Sequence, residues 1–207
     1  KTVMRSKLAW FTELEAELCA AYKAANRKYH NWLHITSLLA DFHRLKDHWR
    51  HPEAVKTAIL WHDFVYVALS PSNEADSAEQ MLERLKELAE PSVLADAHAL
   101  IITTASHTVP NDMTAELALD CALFLDMDMD MDMDMAILGA DRAAFDQYDS
   151  AIREEFAIVP DEVYRPRRAE VLAGFLARDD LYLTETFKRG HDKQARANLQ
   201  RAISRLS

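Results

Sequence analysis

Apolar residues recur every three or four positions through most of the chain, which is the spacing of one face of an α-helix. In the first segment this face is formed by Leu8, Phe11, Leu14, Leu18 and Tyr22. The 207 residues include only 3 glycines and 6 prolines, whereas a sheet protein needs turn residues every ~8 to 12 positions. The sequence therefore predicts an all-α fold.

Breaks in this periodicity separate the predicted helices. Pro52 suits the first turn of the third helix, Asn73 is a good N-cap for the fourth, and Pro91 opens the fifth. No linker or internal repeat interrupts the series, and the length suits one domain. We therefore expect a single helical domain over residues 1–207, with helices at 6–25, 31–48, 53–68, 73–89, 91–106, 114–138, 141–156, 161–178 and 191–206.

Charge and hydropathy argue against several classes of protein. The net charge of −10 argues against nucleic acid as a partner. No apolar run approaches the ~18 residues of a membrane span, and the amphipathic first segment has no signal-peptide core. Cys19 and Cys121 lie in helical segments and are expected to be free thiols in a reducing compartment, so we expect a cytoplasmic protein.

The stretch AILWHDFVY, residues 58–66, places His62 and Asp63 within an apolar, helix-like segment. Burying a carboxylate without compensation is costly. One interpretation is a core histidine paired with a carboxylate. The other is a divalent metal ion, which would compensate Asp63 and accept a neutral imidazole.

An earlier pair, His30 and His34, has the four-residue spacing that places both side chains on one helical face. Because two adjacent residues cannot fill a coordination shell, His34 and a later aspartate are plausible further ligands. Two imidazoles and two carboxylates would leave about two positions of a six-coordinate site for water and a substrate oxygen. Such a site makes water more acidic and stabilises phosphoryl oxygens during hydrolysis.

Residues 126–135 read DMDMDMDMDM, between CALFL and AILG. On a helix, Asp126, Asp130 and Asp134 would share one stripe, and like charges at this spacing destabilise it. One interpretation is an acidic, partly solvated helix. The other is that one or two aspartates bind metal and the others are duplicated filler.

Taken together, the motifs resemble the HD superfamily of metal-dependent phosphohydrolases, and in particular one branch of predicted hydrolases. The resemblance covers most of the chain from residue 20 onward. Its motifs are RKYHNWLHI (27–35), AILWHDFVY (58–66), NEADSA (73–78), ITTASH (102–107), LFLD and DMAILG (within 123–139), IREEF (152–156) and ARANL (195–199).

The resemblance implies a compact helical HD-domain fold with the metal ligands His34, His62, Asp63 and one late aspartate. The chain departs from the family at this aspartate, because the tract carries about six extra residues, or ~1.7 helical turns. Alignment from the left selects Asp126, which we predict as the ligand, and alignment from the right selects Asp132. Unless the extra residues bulge or form a loop, they would rotate every later residue about the helix axis.

The family resemblance also assigns residues around the metal. Asp63 and Glu74 are predicted catalytic residues, with Glu74 holding a water or acting as general base, although it could equally be a first-turn acid. His30 and His107 are predicted to bind substrate, although they could instead pack or interact with a helix C-terminus. Arg27, Arg153 and Arg168 are candidates for phosphate contacts or structural ion pairs, and for Arg153 an ion pair is favoured.

Three functions follow from these interpretations. The first is a phosphohydrolase that uses Mn²⁺, Fe²⁺, Co²⁺, Ni²⁺, Zn²⁺ or Mg²⁺ to cleave a small phosphomonoester or a nucleotide. The second is a non-catalytic module that binds metal and nucleotide. The third is a structural helical protein in which His62 and Asp63 form a buried pair.

Overall fold

A computed structural model describes residues 7–130 and 133–206, and the side chains of residues 14–128 and 135–206. The regular secondary structure of the described residues is helical apart from two short antiparallel strands, which confirms the predicted all-α class. Its elements are α1 (Lys7–Tyr22), α2 (Trp32–Arg44), α3 (Pro52–Trp61), α4 (Asn73–Leu85), α5 (Pro91–Thr104), α6 (Ala115–Met127), β1 (Met129–Asp130), β2 (Met133–Asp134), α7 (Met135–Leu138), α8 (Arg142–Glu155), α9 (Asp161–Leu176) and α10 (Glu185–Leu206).

The chain forms two compact units, Lys1–Ile102 and Thr103–Ser207. The prediction of a single domain therefore stays a prediction. In the first unit, α3 packs against α2 and α4 around Ile35, Ile59 and Trp61. In the second, α10 packs against α7, α8 and α9, and the buried side chains include Phe145 and Leu199.

Helix α3 ends at Trp61, so the predicted continuation to residue 68 is wrong. The backbone beyond it finds partners outside the helix. The guanidinium of Arg27 donates to the carbonyl oxygens of Asp63 and Phe64, and the hydroxyl of Ser77 accepts from the N–H of Val65. Because buried peptide groups need hydrogen-bond partners, these contacts support a loop where periodicity alone predicted more helix.

Asn73 does not cap α4 as predicted, because the helix begins at Asn73 itself. Its side-chain amide instead exchanges two hydrogen bonds with the backbone of Val67, accepting at 2.9 Å and donating at 3.0 Å. The side chain of Asn73 therefore holds the loop between α3 and α4. The helix ends at Leu85, four residues before the predicted end.

The aspartate–methionine tract is not one continuous helix, which corrects the prediction for 114–138. Helix α6 ends at Met127, and β1 then pairs antiparallel with β2, with Met129 opposite Asp134. A two-residue alternation matches the side-chain period of a strand rather than that of a helix, and like charges four residues apart destabilise a helix. The described part of the tract thus leaves the helix after Met127 and includes two short antiparallel strands.

The boundaries of the outer helices also differ from the prediction. Helix α1 ends at Tyr22 instead of residue 25, and α10 begins at Glu185, six residues before the predicted start. The described helices include none that is both long and apolar enough to cross a membrane. Cys19 and Cys121 are free thiols, as predicted.

Gly139 follows α7 where the chain passes against α10. A Cβ at this position would lie closer than 3.0 Å to the Cβ of His191, and an atom so near the backbone of α10 cannot swing away. We therefore expect Gly139→Ala to lower the free energy of unfolding by about 1–3 kcal/mol. Thermal and urea unfolding would measure the change.

Gly174 in α9 provides the matched control. A Cβ there meets nothing within 4 Å, so Gly174→Ala should raise stability by about 0.5–1 kcal/mol through helix propensity. Equal effects of the two substitutions would contradict the close packing of Gly139 against His191.

Candidate metal centre

Two imidazoles and one carboxylate converge in the first unit. His34 lies in the first turn of α2, where the side chain of Asn31 caps the helix. His62 is the C-cap of α3, and Asp63 follows it directly. One ligand atom from each of the three lies within 4.8 Å of those of the other two, so the group could hold a metal ion. The tertiary structure thus brings together three of the four predicted ligands.

The ring of His62 is oriented by a backbone hydrogen bond. Its Nδ1 lies 2.9 Å from the carbonyl oxygen of Ile59, and since a carbonyl can only accept, Nδ1 carries the proton. Metal-binding histidines are commonly oriented in this way, with the other nitrogen turned to the ion. The Nε2 of His62 lies 3.2 Å from Oδ2 of Asp63.

Two electron-rich atoms at this distance repel one another unless a positive charge lies between them. Either a second proton on His62 or a metal ion would supply that charge. Two ligands of one ion, each at ~2.1 Å, can be at most ~4.2 Å apart, so the separation of 3.2 Å fits a shared ion.

His34, in α2, is the third member of the cluster. It is only 4% exposed, and its Nε2 lies 4.0 Å from Oδ2 of Asp63. The ring centroids of His34 and His62 are 5.6 Å apart. This is well within the ~8 Å beyond which two imidazoles could not reach one ion.

Asp63 is held in its ionised form. Burial by itself would raise the pKa of the carboxyl group, but the charge and hydrogen bond of His62, and the charges of His30 and His34, outweigh burial and lower the pKa well below its usual range. The side chain remains 14% exposed. The cluster therefore presents an ionised oxygen next to two imidazoles, which is a donor set that suits several divalent ions.

His30 lies next to this cluster, as expected for a residue of the same site. It is buried, its ring stacks on Tyr66 with centroids 4.4 Å apart, and its centroid is 6.2 Å from that of His34. Tyr29 packs against both histidines and is half-buried. Substrate binding by His30 stays a prediction.

Glu74 is half-buried in the first turn of α4. This position is compatible with both interpretations of the residue, the general base and the ordinary first-turn acid. Its catalytic role stays a prediction.

Asp126, the predicted fourth ligand, lies in the second unit and is fully buried. Its Oδ1 accepts a hydrogen bond from the N–H of Leu183, and its Oδ2 accepts from the N–H and hydroxyl of Thr184, all at 2.6–2.7 Å. These contacts secure the turn from which α10 begins. They give Asp126 a structural role, and its role as metal ligand stays a prediction.

The alternative ligand, Asp132, lies outside the described residues. Asp128, at the C-cap of α6, is fully buried as well. Asp128 could not be distinguished from its neighbours by sequence, because a uniform alternation of aspartate and methionine carries no signal that separates one aspartate from the next.

His107 also belongs to the second unit. It is buried, and its backbone is left-handed with φ of 49°, a conformation that commonly follows the end of a helix. Its N–H donates to the carbonyl of Thr103 in the last turn of α5. Substrate binding by His107 stays a prediction.

The candidate arginines have mainly structural contacts. Arg153 pairs with Asp161 at 2.7 Å, which confirms the predicted ion pair, and also donates to the carbonyls of Phe156 and Val159. Arg168 is buried and lies 3.5 Å from Asp149. Arg27 donates to carbonyl groups of the loop that follows α3.

The protonation of Asp126 should make the second unit sensitive to pH. Burial raises the pKa of this carboxyl group from 3.8 to about 6, and the hydrogen bonds from Thr184 and Leu183 offset only part of the increase. Between pH 3.8 and about 6, Asp126 therefore still binds a proton in the folded state but has already released it in the unfolded state. This raised pKa contributes about 3 kcal/mol of stability well below pH 3.8, of which about 2 kcal/mol is expected to be lost as the pH rises from 4 to 6.

Urea unfolding of the wild type and of Asp126→Asn across this pH range would isolate the contribution of Asp126, since all other groups are shared. The stability of the wild type relative to Asp126→Asn should decrease as the pH rises. A difference that does not change with pH would contradict the raised pKa of Asp126.

Comparison of the chain with protein-family models, with curated protein sequences and with solved structures found no match. The geometry of the cluster and the motifs of the sequence therefore carry the functional interpretation.

Proposed function

We propose that the chain is a phosphohydrolase that depends on a divalent metal ion held by His34, His62 and Asp63. The observation that supports this most is the orientation of His62. Its protonated Nδ1 is engaged by Ile59, and its Nε2 faces Oδ2 of Asp63 at 3.2 Å. A metal ion between these atoms would take up the lone pair that this tautomer leaves on Nε2 and would supply the positive charge between Nε2 and Oδ2.

The donor set favours ions of intermediate character. Imidazole nitrogens suit Zn²⁺, Ni²⁺, Fe²⁺ and Co²⁺, whereas a carboxylate oxygen also suits Mn²⁺ and Mg²⁺. When bound, such an ion supplies the acidification of a water molecule and the stabilisation of charge on a phosphoryl group. Two neutral imidazoles and one carboxylate leave a divalent site with a net positive charge, which favours an anionic substrate such as a phosphate ester.

The remaining predicted roles belong to the same proposal. Asp63 binds the ion and aligns the attacking water, and Glu74 in the first turn of α4 serves as general base. His30, buried beside His34, contacts the substrate. The substrate is a small phosphomonoester or a nucleotide, and the free thiols of Cys19 and Cys121 support a cytoplasmic location.

Metal titration followed by hydrolysis assays tests this function. The chelated protein would be titrated with each of the six candidate ions by calorimetry and then assayed for phosphate release from a panel of phosphomonoesters and nucleotides. Uptake of one ion per chain and metal-dependent phosphate release are expected. Absence of uptake for all six ions would refute the proposal.

The same experiment separates the enzyme from a binding module. A module would gain thermal stability from metal and a nucleotide but release no phosphate. In a purely structural protein, neither the metal nor a chelator would change the unfolding temperature.

A further inference from the structure

Arg27 occupies an unusual environment between α1 and α2. It is 8% exposed, and its guanidinium carbon lies 5.1 Å from the ring centroid of Tyr22 and 5.4 Å from that of Tyr66. Cation–π contacts of this kind hold a guanidinium in one plane. These two ring contacts therefore restrain the position of the guanidinium independently of its hydrogen bonds.

Three N–H···O hydrogen bonds extend from this guanidinium to the backbone around the metal cluster. Nη1 donates to the carbonyl of Asp63 at 2.7 Å and to that of His30 at 3.2 Å. Nη2 donates to the carbonyl of Phe64 at 2.8 Å. Arg27 thus contacts the segment that carries the ligand Asp63 and also the turn that carries His30.

The two contacts at Asp63 and Phe64 involve consecutive carbonyl groups. Because a guanidinium is planar and rigid, holding both oxygens at once fixes the orientation of the peptide that joins them. The side chain of Asp63 leaves the same backbone, so the direction of its carboxylate towards His62 depends on this clamp. Beyond the end of α3 at Trp61, the N–H of Phe64 bonds to the carbonyl of Trp61, and Arg27 holds the carbonyl side of the same peptide.

We propose that Arg27 is a positioning residue of the metal centre, which orients Asp63 through the backbone and does not bind phosphate. This inference rests on the proposed function, because it assigns Arg27 to the metal site of that function. Lysine at this position would keep the charge but lose the fork that spans two carbonyls. Loss of such supporting contacts typically weakens metal binding by about 10- to 100-fold.

Cobalt titration of the full chain tests the role of Arg27. Co²⁺ affinity and the visible d–d spectrum would be compared for the wild type, Arg27→Lys and Arg84→Lys. Arg84 is a matched control in the same unit, because its guanidinium lies 5.0 Å from the ring of Phe64 and pairs with Glu17. We expect Arg27→Lys to bind Co²⁺ about 10- to 100-fold more weakly with altered d–d bands, and Arg84→Lys to resemble the wild type.

The outcomes separate the two proposals. A wild-type chain that binds no Co²⁺ or any other candidate ion overturns the metal site itself. A folded Arg27→Lys with the affinity and spectrum of the wild type overturns only the role of Arg27. Uniform loss of stability could lower the folded fraction, but it would not change the d–d bands of the folded molecules.

If Arg27→Lys does not fold, ¹⁵N NMR of the guanidinium groups in the wild type tests the role of Arg27 instead. Separate, slowly exchanging Nη protons of Arg27 that shift when Zn²⁺ is added would support the clamp. A freely rotating guanidinium that does not respond to Zn²⁺ would overturn it.

Discussion

Under the proposed function, His62→Gln is expected to lose the binding of a divalent metal ion and, with it, metal-dependent phosphate release. Glutamine is close in size to histidine, so the substitution keeps a polar, uncharged side chain of similar volume at this position. Glutamine cannot, however, offer an imidazole nitrogen to the ion. Since changes behind the ligands already weaken metal binding by about 10- to 100-fold, removal of a ligand should cost more than ~100-fold.

Calorimetry and the shift of unfolding temperature with metal would measure this loss. At a metal concentration of about 100 times Kd, a folded chain that binds one ion gains about 2.7 kcal/mol, and His62→Gln should gain almost none. His48→Gln, at an exposed position in the same unit, is the control and should keep the gain. Equal metal stabilisation of His62→Gln and the wild type would exclude His62 as a ligand.

Asp126→Ala is expected to destabilise the second unit by about 3 kcal/mol, with the largest effect below pH 6. The substitution removes a fully buried carboxyl group that accepts two backbone N–H groups and one hydroxyl. Leu183 and Thr184 would be left with donors lacking their present partner. Because these residues immediately precede α10, the first turn of that helix should fray.

Urea unfolding and hydrogen exchange of the amides at the start of α10 would detect this change, with Asp112→Ala at an exposed loop position as the control. Metal content, measured on the folded variant, tests the other role predicted for Asp126. Unchanged metal affinity would exclude Asp126 as a ligand, whereas its loss in a folded chain would support the alignment of the tract from the left. Unchanged stability would contradict the structural role.

The number and order of the long helices could be predicted from the sequence. Helical periodicity depends on contacts between residues three and four apart, so it is visible without any tertiary information. The cluster of His34, His62 and Asp63 was predicted in the same way, partly because an apolar segment carrying a histidine and an aspartate requires compensation and partly because the motif order resembles a known family. The first signal is local, whereas the second depends on the order of motifs along most of the chain.

The helix ends were harder to predict, because distant residues determine several of them. The end of α3 depends on Arg27, 36 positions before Asp63, and the start of α10 depends on Asp126, 57 positions before Leu183. The side chain of Asn73, predicted as a cap, instead accepts a hydrogen bond from the backbone N–H of Val67. Each case involves a polar group whose partner is brought near only by folding.

The all-α class and the order of the principal helices follow from residue type and short-range spacing, and the motifs of the chain also indicated three side chains that could share a metal ion, His34, His62 and Asp63. Three other features depend on the folded chain: where α3 ends, where the aspartate–methionine tract leaves the helix, and the contact by which the carboxyl group of Asp126 secures the start of α10. Buried peptide and carboxyl groups must find hydrogen-bond partners, and which partner is within reach depends on the packing of the whole chain.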